Sequence, residues 1–171
     1  MGTRVTKRSL PLEDYSASHN LIFLLPKIPK NIISADRITE PFNSSLFYSI
    51  ENECKKKGYS LIYTTLGEEE SLTEIIKDKK IPGVFFVSKV SENFLTEAKH
   101  LNIPSVVINN ENDYFPTIRP DRVTGTYEAI KHLVNLNHKR IAFISGLPSY
   151  ITSADCFEGF KKAYDIKVKV V

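Results

Sequence analysis

Four histidines (His19, His100, His132 and His138) and two cysteines (Cys54 and Cys156) are the strongest candidates for metal or covalent chemistry in this chain. Such side chains bind metals or act as nucleophiles when spacing brings them together. Here the spacing serves neither use. No CxxC or HExxH pair sets two ligands on one face, so no metal site is expected. The cysteines lie far apart with no readable base beside them, so they read as reduced core residues. His100, His132 and His138 fall near predicted helix ends, where a cation favours the helix dipole. GxGxxG, the Walker loop and GxSxG are absent as well. Nothing calls for a catalytic residue, a cofactor or an enzyme.

What remains are polar residues at the ends of apolar segments. Asp121 opens one amphipathic stretch, and Thr152-Ser153-Ala154-Asp155 opens another. Oxygen side chains at such places have two uses: they cap a helix, or they reach a ligand. Both uses stay open for Asp121 and Thr152. Ser88 and Asn109 each follow an apolar run, where a loop residue turns the chain or faces a ligand.

The segments that would position these residues alternate in kind. Leu21–Leu25 is a continuous apolar run ended by Pro26, as suits a strand buried on both faces. After a loop over 26–41 the spacing predicts a helix from about Phe42 to Lys57, with Leu46, Phe47, Ile50 and Cys54 on one face. Gly58 suits the left-handed position that ends it. Strands are then expected at Tyr59–Thr64, Gly83–Val87, Ser105–Ile108 and Arg140–Ile144. Helices are expected from Ser71 to about Lys79, with a capping box Ser71-Leu72-Thr73-Glu74, and over Glu92–Leu101, Asp121–Leu136 and 152–164. Lys167–Val171 can start a sixth strand. This alternation predicts an α/β fold: a parallel sheet with helices on both faces. Ligands in such sheets bind beyond the carboxyl ends of the strands, so the loops after residues 25, 64, 87, 108 and 145 form the expected functional edge.

Composition excludes several classes. With 171 residues and 42% hydrophobic content the chain reads as an ordinary globular domain with a core of its own. Lys plus Arg number 23 against 20 Asp plus Glu, and the resulting +3 is too mild to announce nucleic acid. No apolar run approaches the roughly 18 residues of a membrane span, and no apolar stretch follows the basic N-terminus as a signal peptide would require. The expectation is a cytoplasmic protein with no membrane partner. Residues 1–19 read as a linker or leader, with a basic arm touching phosphate as the functional alternative.

These residues in this order resemble the effector-binding core of LacI-type bacterial transcriptional regulators, which share a fold with periplasmic sugar-binding proteins. The similarity runs over about 20–165 and begins with Leu21–Pro26 and Pro41-Phe42. It continues through Gly58-Tyr59, Pro82–Phe86 and Ile103–Asn109. The specific part is Asp121-Arg122-Val123-Thr124-Gly125 with Ala129, His132-Leu133, Leu136 to Ile144 and Gly146, which is similar to the family's DNxxGxxxAxxHLxxLGHxxIAFIxG. Cys156-Phe157-Glu158-Gly159-Phe160 is similar to its RxxGF.

The resemblance implies a Rossmann-like lobe of the type I periplasmic-binding-protein fold. It implies a small, sugar-like effector of the carbohydrate class, held between two lobes. It implies a homodimer whose operator DNA is read through a domain outside this chain. The same carry-over implies ligand contacts at Phe42, Ser88, Asn109, Asp121, Tyr150, Thr152 and Cys156. Cys156 stands where the family has an arginine that forks onto ligand oxygens, which points to a less polar or uncharged effector. Arg122 replaces the family's asparagine, and Asn137 replaces a glycine at a helix end that asparagine also tolerates. The implied organisation is a linker over 1–19, one lobe over 20–165, and a crossover toward a second lobe over 166–171. A periplasmic or extracellular solute-binding protein of the same fold is the alternative, and a flavodoxin-like module is a weaker third.

Overall fold

Strand β1 (Asn20–Pro26) shows why an unbroken apolar run was needed. Its side chains alternate between two separate cores. Ile22 and Leu24 join a cluster with Leu72, Ile76, Phe86, Phe94, Leu95 and Val107. Phe23 and Leu25 join another with Cys54, Leu61, Val87 and Ile108, against which Leu46, Phe47 and Ile50 pack. A strand covered on both faces has no polar side, so the period-two pattern disappears.

The computed structural model describes residues 19–27, 37–67, 69–148 and 150–164. It divides into two compact units. The first takes in residues up to Ile108 together with Asn112–Ile118; the second takes in Asn109–Glu111 and the chain from Arg119 onward. The expected leader over 1–19 and the sixth strand at Lys167–Val171 lie, but for His19, outside the described residues.

In the first unit, α1 (Pro41–Lys56) follows β1 and a short 3-10 turn. Then come β2 (Ser60–Leu66), α2 (Leu72–Lys79), β3 (Val84–Val87), α3 (Glu92–His100), β4 (Ser105–Ile108) and β5 (Thr117–Ile118). The five strands form one sheet in the order β2-β1-β3-β4-β5, and every pair is parallel. Helix α1 covers the face of Phe23 and Leu25, while α2 and α3 cover the face of Ile22 and Leu24. This is the expected α/β architecture. The order reverses direction between β1 and β3, and in such sheets ligands bind beyond the carboxyl ends of the strands at that switch point.

Local chemistry sets the element ends. Gly58 has φ +78°, as the end of α1 requires. The capping box predicted for α2 does not form: the Ser71 side chain caps nothing. Instead Glu97 of α3 reaches across. Its Oε2 accepts from the Thr73 backbone N–H at 2.7 Å, the Thr73 hydroxyl at 2.6 Å and the Ser71 hydroxyl at 3.1 Å. A carboxylate from a neighbouring helix therefore does the work expected of the Ser71 hydroxyl, accepting a first-turn N–H, and it ties α2 to α3. β5 was not anticipated, because two residues carry no readable period.

The second unit is built on α4 (Arg122–Asn135) and α5 (Ile151–Tyr164). Ile130, Phe160, Ala163 and Ile141 form its core, with Tyr127, Leu133, Val134 and Phe143 packed around them. Gly159 lets the two helices approach closely. A Cβ there would lie 2.3 Å from the Val123 carbonyl oxygen and 2.9 Å from the Thr126 Cβ. Asn137, after the end of α4, takes φ +65°, a left-handed position that asparagine tolerates.

The strand predicted at Arg140–Ile144 is absent; these residues are irregular. A strand needs a neighbour for its ladder, and among the described residues the second unit has none. The alternation nevertheless persists in part: Ile141 and Phe143 pack on the helices, while Ile144 is 97% exposed.

Candidate functional site

Two of the predicted residues lie at the carboxyl edge of the first unit. Phe42 stands in the first turn of α1 and is 52% exposed. Beside it, Asn43 is buried and its Nδ2 donates to Glu40 Oε2 at 3.0 Å. Ser88 follows the last residue of β3. It adopts φ +65°, and its N–H donates to the Ile108 carbonyl at 2.9 Å. A left-handed serine costs about 1–2 kcal/mol against an ordinary conformation, so the turn after β3 is held by its surroundings. Such residues gather at functional edges.

The outer rim of this edge is also charged. The Gly67 N–H donates to Glu70 Oε2 at 2.6 Å, and Lys27 Nζ reaches the same oxygen at 3.4 Å. The Gly67 bond, with help from Lys27, holds the Glu70 carboxyl below its ordinary range.

Asn109, Asp121, Tyr150, Thr152 and Cys156 fall in the second unit. Asn109, at φ +62°, follows β4 as Ser88 follows β3. Its Oδ1 accepts from Arg122 Nη2. Asp121 precedes α4, and its Oδ1 accepts the Thr124 N–H at 3.0 Å. That is the capping role, and Asp121 Oδ1 performs it. The Thr124 backbone and hydroxyl bonds, with smaller contributions from Lys162 and Arg119, hold the Asp121 carboxyl below its ordinary range. The sign is that of a depressed carboxylate: the bond's stabilisation is present above the unfolded value and fades as pH falls through the folded one.

At α5 the Tyr150 carbonyl accepts from the Ser153 and Ala154 N–H groups, at 2.9 and 3.0 Å. The helix therefore starts at Ile151, and Thr152 stands inside the first turn rather than capping it. Tyr150 is exposed, and Cys156 carries a free, partly buried thiol. Among the described residues no three His, Cys, Asp or Glu side chains gather as a metal would need.

A charged set around α4 was not singled out from the residues. Arg119 bridges Glu111 at 2.5 Å and the buried Asp155 at 3.2 Å. Arg119 and Arg122 flank Asp121 in the sequence, and that spacing was the available signal. Chemically, both units offer hydrogen-bond donors, acceptors and an aromatic face. Those are tools for recognition.

Comparison with known proteins follows the same line. Residues 31–167 match the family described as periplasmic binding proteins and the sugar-binding domain of the LacI family. Over 141 residues the chain is 29% identical to the HTH-type transcriptional regulator DegA of Bacillus subtilis, covering 77% of this chain and 42% of that protein. Over 130 residues it is 30% identical to the HTH-type transcriptional repressor PurR of Actinobacillus pleuropneumoniae, covering 72% of this chain and 39% of the other. The chain thus spans about two fifths of the length of these relatives. Among solved structures it resembles a transcription regulator-like protein from Staphylococcus haemolyticus, with TM-score 0.72, 20% identity, and coverage of 90% of this chain and 58% of that one. It also resembles a periplasmic binding protein/LacI transcriptional regulator from Alkaliphilus metalliredigens complexed with D-xylulofuranose. There the TM-score is 0.71 at 21% identity, covering 90% of this chain and 55% of that one.

Proposed function

Because the chain belongs to the family of periplasmic binding proteins and LacI-type sugar-binding domains, we propose that it is the ligand-sensing part of a LacI-type transcriptional regulator. The effector is a small, sugar-like molecule. One observation carries this reading: the family match over residues 31–167 takes in four of the five strands of the parallel sheet, with Phe42 and Ser88 at its carboxyl edge. In this reading Phe42 stacks on the effector's apolar face, and polar groups of the turn after β3 meet its hydroxyls. Asn109, Asp121, Tyr150, Thr152 and Cys156, each in the second unit, are kept as candidate ligand contacts. Residues 20–165 are assigned to one lobe of the effector-binding domain, flanked by a linker and a crossover.

Effector binding biases a two-state element and so changes operator affinity through a domain not in this chain. The working form is a cytoplasmic homodimer without catalytic activity. No helix among the described residues is long and apolar enough to cross a membrane.

The test is a thermal-shift screen of the full-length gene product against sugars, nucleosides and amino acids. A ligand at a hundred times its dissociation constant adds about 2.7 kcal/mol to the stability of the native state. The ligand that stabilises is then added to gel-shift reactions with DNA from upstream of the gene. A ligand-dependent change in DNA retention is expected. Stabilisation by a sugar with no DNA binding under any condition would favour the solute-binding alternative.

A further inference from the structure

Among the described residues, Arg122 carries the buried side-chain nitrogen that has no hydrogen-bond partner. It is the first residue of α4 and is partly buried. Its Nη2 donates to Asn109 Oδ1. Its Nη1 is buried and has no hydrogen-bond partner among the described residues. Buried polar atoms are nearly always paired, and an exception asks for a missing acceptor.

The neighbouring charges are already matched. Arg119 holds Glu111 and Asp155. Lys162 holds Glu158 at 2.7 Å. Asp121 is engaged with the Thr124 N–H. Of these three cations, only Arg122 is held by a neutral amide instead of a carboxylate. A guanidinium fixed at one nitrogen and unpartnered at the other is suited to an oxyanion, which it meets with strong, directional hydrogen bonds.

We propose that Arg122 reads a carboxylate or phosphate group on the effector through Nη1, with Asn109 as the residue that positions it. The proposal rests on the effector-domain reading above and narrows it to an acidic small molecule. The expectation of an uncharged effector, drawn from Cys156, left Arg122 out. A cation at position 122 reopens anion recognition in a chain that lacks the arginine at position 156.

The experiment uses the full-length gene product and matched probes: ribose with ribose 5-phosphate, galactose with galacturonate, and inorganic phosphate alone. Melting temperatures are read first, then dissociation constants by calorimetry. One acidic probe is expected to stabilise where its neutral partner does not, and which one does so separates phosphate from carboxylate. Arg122→Gln should weaken that probe about 10- to 100-fold, as loss of a charge-assisted bond predicts. Arg122→Lys, which keeps the charge without the fork, should fall between. Asn109→Asp, which neutralises the guanidinium in place, should remove the preference even if the Gln variant fails to fold. Equal stabilisation by neutral and acidic partners, unaffected by Arg122→Gln, would overturn the proposal and leave the effector-domain reading standing. A shift by inorganic phosphate that survives Arg122→Gln would mean an adventitious ion only, and would also overturn it. Silence across every probe, with the sugars, nucleosides and amino acids of the wider screen also silent, would remove both readings.

Discussion

The sheet of the first unit and the segment 140–144 of the second carry similar apolar sequences and meet different fates. Leu21–Leu25 and Arg140–Ile144 both read as buried strands. The first lies between two paired strands, β2 and β3, and helices cover both of its faces. The second has no ladder partner among the described residues, and its Ile144 is 97% exposed. Local pattern proposes a strand; a neighbouring backbone makes it one.

That contrast can be pressed by substitution, with stability read from urea unfolding. Phe86→Ala empties the centre of the first core and should cost about 3–5 kcal/mol. A much smaller loss would mean that this core is loosely packed. Gly159→Ala probes the second unit, where the added methyl meets the Val123 carbonyl and must push α4 from α5. Overpacking of this kind costs about 1–3 kcal/mol, and a neutral result would contradict the close helix approach. Glu97→Ala removes the cap that α3 lends to α2 and should cost about 1 kcal/mol, whereas Glu74→Ala should do little. The reverse ranking would restore the capping box read from the sequence. Ile144→Ser is the smallest change, expected within about 0.5 kcal/mol because the side chain is in solvent. A loss like that of Phe86→Ala would show that residue 144 is covered in solution.

Much of the fold was legible because its signals are local. The apolar run before Pro26 and Gly58 after α1 each follow from backbone chemistry over a few residues. What escaped depends on residues distant in sequence. Glu97 caps a helix that begins 25 positions earlier, at Leu72. β5 exists because β4 offers it an edge. The absent strand at 140–144 fails for want of a partner.

The site was legible in the same uneven way. Ser88 and Asn109 were named from their position after strands, and both take left-handed backbone. Asp121 was read with two roles, and its bond to Thr124 identifies the capping one. Arg122 was seen only as a departure from a pattern. Its chemistry depends on Asn109, 13 residues away, and on carboxylates that Arg119 has already taken.

The most direct test of the site at the carboxyl edge is a calorimetric titration of the Phe42→Ala variant. The ligand is whichever small molecule most raises the melting temperature of the unsubstituted full-length gene product. Phe42 is 52% exposed, so its loss should leave unliganded stability nearly intact. Removing the aromatic face should raise the dissociation constant about tenfold, the equivalent of about 1.4 kcal/mol. An unchanged dissociation constant in a folded Phe42→Ala protein would contradict the placement of the effector at this edge of the sheet.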